Sequence, residues 1–199
     1  MVVDRSKLFR NDAFNGFVRH GEKDYEKRIL ENFYYIKRGL AEKDPSKKQP
    51  IGYAIIVNKK EKNMFVYQRS PSNKAHGDER LQNKWSCGVG GHIEIVDEKS
   101  ENPIVESMLR EINEEVGFLG DAEAKVLGYI NDESNDVGRV HFGILYLIET
   151  DKDVTPKSEE LKTGKMMRIN DVESIFSSND FDVEEWSRIA LEAVKQEMD

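Results

Sequence analysis

The sequence predicts an α+β fold, a mixed β-sheet packed between helices, and three observations carry that reading. Short β-rich runs recur at residues 51–58, 64–69, 85–89, 125–130, 140–148 and 165–169. A helix of about four turns is expected over 103–116, and another over 183–195. Strands gathered around one central helix, with a second helix at the end, are best buried as a sheet covered by helices.

Taken in order, the elements begin with residues 22–40, where Tyr25, Ile29, Phe33, Ile36 and Leu40 recur at helical spacing and predict one amphipathic helix. The following KDPSKKQP, with two prolines and three lysines, reads as a connector over 43–50. The expected division is therefore a helical extension, 1–45, followed by one domain, 46–199. Runs 51–58 and 64–69, separated by a charged turn, predict a hairpin, and the polar stretch 70–84 predicts a loop. Neither an internal repeat nor a low-complexity tract is evident.

Composition narrows the function classes. The 199 residues are 38% hydrophobic and 34% charged, which suits a chain that folds throughout. A formal charge of −8 excludes extended binding to a nucleic-acid polymer, which depends on clustered Lys and Arg. No apolar run reaches the roughly 20 residues that cross a bilayer, and MVVDRSKLFRNDAF lacks the apolar core of a signal peptide. With a single cysteine, Cys87, the expectation is a cytoplasmic protein without membrane partners.

The informative feature is the acidic helix. Pro103 suits a first helical turn and Gly117 suits a stop. At about 100° per residue, Val105, Met108, Leu109, Ile112 and Val116 form an apolar arc expected to face the core. Glu111, Glu114 and Glu115 fall in an arc beside it, because positions i, i+3 and i+4 share a face. Like charges at that spacing, near the helix end whose dipole also opposes them, favour a bound cation. Carboxylate oxygens suit a hard ion such as magnesium, which shares its remaining positions with water and substrate phosphates. A solvated acidic face, with Arg110 pairing Glu106 or Glu114, is the competing reading.

The segment GGHIEIVDEKSENPIVESMLREINEEVGF resembles the signature of the Nudix hydrolases. Arg110-Glu111-Ile112-Asn113-Glu114-Glu115-Val116-Gly117-Phe118 fits its second half at every specified position. The first half departs: if Gly91 is the signature glycine, the interval to Arg110 is longer than usual, and Asn102 stands where a glutamate belongs, with Asp97 or Glu101 as substitutes. Lys48-Gln49-Pro50-Ile51, Tyr67-Gln68-Arg69 and Trp85-Ser86-Cys87-Gly88-Val89-Gly90-Gly91-His92 resemble a subgroup of Nudix phosphohydrolases.

The resemblance implies a Nudix-type α/β/α sandwich with a mixed sheet. It also implies a magnesium-dependent enzyme, with manganese as an alternative ion, that cleaves the pyrophosphate of a small phosphorylated substrate, a nucleotide derivative. Glu111, Glu114 and Glu115 would hold the metal with the Gly91 carbonyl, Arg110 would hold the glutamates in place, and Glu111 or Glu160 would accept the proton from water. Arg69, Lys74, Arg80 and Lys84 are candidates for the outer phosphates. The extension is a candidate for shaping the substrate pocket or a homodimer contact, and its residues do not decide which.

Two rivals share the fold. An isoprenyl-diphosphate isomerase is faintly resembled through Trp85, Cys87 and His92, and a nucleotide-binding module without catalysis would have lost the carboxylates present here. His20, His76 and His141 have no metal-ligand spacing and read as ordinary residues, and Tyr34, Tyr35 and Trp186 read as core, with stacking on a base as the alternative.

Overall fold

The computed structural model describes residues 1–71, 81–117 and 123–198. Two compact units divide the chain, the first formed by Met1–Tyr53, Gly90–Leu109 and Val126–Tyr146, the second by Ala54–Val89, Arg110–Lys125 and Leu147–Asp199. The α+β class with a mixed sheet is as the sequence predicts.

The first unit opens with β1 (Val3–Asp4), α1 (Arg5–Phe9), β2 (Gly16–Arg19), α2 (Tyr25–Asn32) and α3 (Arg38–Ala41). It takes in the start of β3 (Lys47–Asn58), and later β7 (Ala124–Asn131), α5 (Asp136–Val140) and most of β8 (His141–Glu149). The strand order is β2-β7-β8-β3, with β1 added to β3 through Val3↔Lys48. Phe9, Phe14, Tyr25, Tyr129 and Phe142 form an aromatic cluster with centroids 5.2 to 6.2 Å apart. Edge-to-face pairs of this kind contribute about 0.5–1.5 kcal/mol beyond their burial. The N-terminal residues thus supply core to this unit.

The single helix expected over 22–40 is two short ones. After Asn32 the chain turns extended at Phe33, and Tyr34 exchanges both backbone hydrogen bonds with Val2, at 2.8 and 2.9 Å. Those bonds satisfy groups that a continuing helix would have used. The connector expected over 43–50 is likewise part strand, since β3 starts at Lys47. Lys48 is fully buried and donates to Glu133 at 2.9 Å and to the Gly138 carbonyl at 2.8 Å. Its lysines and prolines disguise a strand whose charge is met internally.

The second unit holds the rest of β3, then β4 (Asn63–Arg69), β5 (Trp85–Ser86), β6 (Gly88–Val89), β9 (Leu161–Arg168), α6 (Ile169–Ser177) and α7 (Glu185–Met198). The predicted hairpin is present: β3 and β4 pair antiparallel through Val57↔Met64. β4 also pairs with β5 and, along its whole length, with β9. Residues 165–169, expected as a strand, end β9 at Arg168, and Ile169 begins α6, which buries Ile169, Val172 and Phe176 at helical spacing.

α4 (Pro103–Glu115) runs through both units. Its buried stripe is Ile104, Ser107, Met108, Ile112 and Glu115, rotated from the predicted arc, and Leu109 is 47% exposed. The rotation has one decisive result: Glu115 sits on the buried face.

In the first unit, Gly52 and Gly90 approach closely, and a Cβ on Gly90 would lie 2.1 Å from the Gly52 carbonyl oxygen. No rotamer relieves a backbone clash. Gly90→Ala should therefore lower unfolding stability by about 1–3 kcal/mol, seen as an earlier urea midpoint; an unchanged midpoint would contradict this packing.

Candidate active site

Within the second unit, four elements bring charged side chains together. The C-terminal turn of α4 carries Glu111, Glu114 and Glu115; β4 ends on Arg69; Glu160 precedes β9; and Glu184 precedes α7. α4 stops where Gly117 takes φ +89°, a conformation open to glycine at little cost. The Glu115 carbonyl at this end accepts from the backbone N–H of Lys157 at 2.7 Å and of Ser158 at 3.2 Å. The segment leading to Glu160 is thereby fastened to the helix that bears the other glutamates.

The three helix glutamates occupy different environments. Glu115 is 6% exposed, and its Oε2 is buried with no hydrogen-bond partner. Glu111 is half-buried and accepts from Arg110 Nη1 at 2.7 Å, while Glu114 is exposed and lies 3.7 Å from the same guanidinium. Arg110 therefore contacts both Glu111 and Glu114.

Burial drives the Glu115 pKa up to about 8, the Arg69 charge opposes the shift, and Glu111, Glu160 and Glu184 add to it. Burial also raises Glu111, against Arg110, with Glu114 and Glu160 reinforcing the rise. Glu160 thus acts on both Glu111 and Glu115, and it is less exposed than Glu159.

Arg69, a candidate for the outer phosphates, is held inside the unit. It donates to Glu184 Oε1 and lies 5.6 Å from the centroid of the Tyr67 ring. Burial works against its charge, but Glu184, Tyr67 and Glu115 together outweigh that and keep its pKa above the usual range. Glu184 also accepts from Ser86 Oγ at 3.0 Å. Sequence reasoning missed Glu184 because a glutamate ahead of a helix reads as a partner of the helix dipole.

Other expected residues are placed as follows. Gly91 belongs to the first unit, beyond β6 and beside His92, which bridges to Ile51. Lys84 lies 3.9 Å from Asp182. Lys74, Arg80, His76 and Phe118 lie outside the described residues. Cys87 is buried against the Ser187 carbonyl, and burial pushes its thiol up to about 12. His141, read as ordinary, meets His92 and Glu42 in the first unit.

Comparison with known proteins identifies the family. Residues 48–192 match the model of the NUDIX domain. Protein YmaB of Bacillus subtilis (strain 168) is 30% identical, over 98% of this chain and 96% of that protein. Tm1382, a candidate Nudix hydrolase, superposes with a TM-score of 0.76 at 25% identity, over 98% of this chain and 97% of its own. The NUDIX domain of Shewanella oneidensis NrtR, crystallised with ADP ribose, shares the fold with a TM-score of 0.58 at 13% identity, over 87% of this chain and 99% of its own. Among the described residues no helix is long and apolar enough to cross a membrane. A match over most of the length, the unbroken Arg-Glu-x-x-Glu-Glu-x-Gly run and its buried carboxylate together establish that the chain belongs to the Nudix family, as a pyrophosphohydrolase.

Proposed function

We propose that the chain is a magnesium-dependent enzyme that hydrolyses the pyrophosphate of a nucleoside diphosphate linked to another moiety, with Glu111, Glu114 and Glu115 holding the metal. The observation that carries this is Glu115 Oε2, a carboxylate oxygen buried without a hydrogen-bond partner beside further acidic groups. Buried polar atoms are nearly always satisfied, so an orphan in such a cluster fits a missing cation. All-oxygen donors favour magnesium, with manganese as a substitute. The Gly91 carbonyl completes the proposed set by resemblance.

When bound, the ion would neutralise phosphoryl oxygens and acidify a bound water. The chain's own residues supply the rest. Arg110 positions Glu111 through its hydrogen bond, and Arg69, tied to Glu184, offsets part of the negative charge around Glu115. Glu160 is the proposed base, with Glu111 as the alternative, and its electrostatic link to both Glu111 and Glu115 supports the choice. The division into an extension, 1–45, and a catalytic domain, 46–199, belongs to the same proposal and is supported by the family match from residue 48.

The thiol of Cys87 weighs against the isomerase reading. Isomerisation through this residue would need it beside substrate, whereas it faces the Ser187 carbonyl from a fully buried position. The retained carboxylates weigh against a module without catalysis.

A panel of nucleoside diphosphate derivatives, with ADP-ribose among them because the NrtR domain holds it, should be assayed with magnesium in ¹⁸O-labelled water. Label should appear in one phosphate product, and a product without label would favour isomerisation. Glu115→Gln should cut turnover by about 10²-fold or more with the fold intact; full turnover at saturating magnesium would sink the site assignment. Glu160→Gln should lose about 10²–10⁴-fold if it is the base, and a negligible loss would move that role to Glu111.

A stability measurement tests the burial directly. The folded Glu115 binds its proton up to about 8, against 4.5 for an ordinary glutamate, so in that window the folded state holds more protons than the unfolded. Stability is fullest below the lower value and falls as pH rises through the upper one. With metal chelated, urea midpoints should decline across this range in the parent chain and less steeply in Glu115→Gln. Parallel profiles would contradict the burial.

A further inference from the structure

We propose that Glu42, His92 and His141 form a second metal site, separate in chemistry from the glutamate cluster and suited to zinc or a similar borderline ion. All three belong to the first unit, from the end of α3, the segment after β6 and the first residue of β8. His92 Nε2 lies 3.0 Å from His141 Nε2 and 3.5 Å from Glu42 Oε1, and His141 Nε2 lies 3.9 Å from the same oxygen. A point equidistant from these three atoms is about 2.0 Å from each, the distance at which imidazole nitrogen and carboxylate oxygen bind zinc.

The surroundings orient the ligands. His141 Nδ1 donates to the Val137 carbonyl at 2.7 Å, which leaves the Nε2 lone pair aimed at the cluster. Gln49, itself buried, places its amide Nε2 3.3 Å from His141 Nε2, and rotation of that amide would offer an oxygen instead. With His141 Nδ1 committed to the Val137 carbonyl, His92 Nε2–H is the proton directed toward His141 Nε2 and Glu42 Oε1. A metal ion would take that proton's place at the focus of the acceptors, and His92 would bind as the Nδ1–H tautomer or release the proton.

His141 is 6% exposed, while His92 and Glu42 are 26% and 20% exposed, so the cluster lies at the edge of the core. Three protein ligands would leave the fourth position of a tetrahedral ion to water or an anion. Arg38 is the competing cation: its Nε lies 3.4 Å from Glu42 Oε1 and would have to share or yield that oxygen. The two-histidine composition separates this site from the all-oxygen cluster, because imidazole favours zinc and cobalt over magnesium.

Chelator-treated protein titrated with cobalt(II) alone, in excess magnesium to occupy oxygen sites, should bind one equivalent and develop the visible absorption of a low-coordinate ion with nitrogen ligands. Glu115→Gln should leave that signal unchanged, so failure of the glutamate-site proposal would not be mistaken for failure here. His92→Gln should weaken binding at least 100-fold, and Glu42→Gln, at a partly exposed position, should weaken it at least tenfold. Absence of the signal, or equal binding by either variant, would overturn the proposal. If the variants do not fold, the parent chain still decides: one equivalent of zinc must shift the imidazole ¹⁵N resonances of both His92 and His141, and unshifted resonances would overturn it.

Discussion

A carboxylate taken out of water must be met by a proton, a hydrogen-bond donor or a cation, because leaving a buried charge uncompensated costs several kcal/mol. Glu115 is in that position. One of its oxygens has no partner, and the cation that acts most strongly on it, Arg69, is committed to Glu184. Glu111 and Glu160 add negative charge to the same region. The surplus makes the second unit a poor host for an ionised Glu115 on its own, and the proposed divalent ion is the partner that would meet it.

Much of this was legible in the sequence and some was not, for identifiable reasons. The run from Arg110 to Gly117 could be read because its residues are contiguous and its spacing is tied to a helix, and the strands could be read because apolar β-formers cluster between polar breaks. The helical wheel placed the apolar arc around Leu109, yet the structure centres the buried stripe on Ile104, Met108 and Ile112 and draws Glu115 inward. A wheel measures hydrophobicity, and a carboxylate on the buried face is the residue it misjudges. The break after Asn32 was hidden because Phe33 and Ile36 keep helical spacing while the backbone of Tyr34 pairs with distant Val2. Glu42, His92 and His141 lie far apart in the chain, so no interval could have joined them.

The residues of the wider sequence pattern have internal work to do. Tyr67 donates its hydroxyl proton to the Gly88 carbonyl at 2.7 Å, and Gln68 donates to the Asn83 carbonyl at 2.9 Å. Ser86 donates to Glu184, and the Cys87 N–H donates to Ser187 Oγ at 3.1 Å. These bonds fix β4, β5 and the start of α7 against one another, and so fix where Arg69 and Glu184 meet. Such residues determine the field in which Glu115 sits.

The pairing of β4 with β9 slips at one place: Gln68 faces Thr163, but Arg69 faces Leu161, which leaves Lys162 as an extra residue in β9. Side chains alternate along a strand, so without the slip Lys162 would stand opposite Arg69 and everything before it would face the other way; the slip absorbs one residue and keeps Leu161 in that place. The direction of the chain at Glu160 is therefore a matter of counting rather than of which amino acids are nearby. A related chain that kept this lysine in regular pairing with Arg69 would retain every acidic residue and aim Glu160 the other way, so an intact motif would conceal a dismantled cluster.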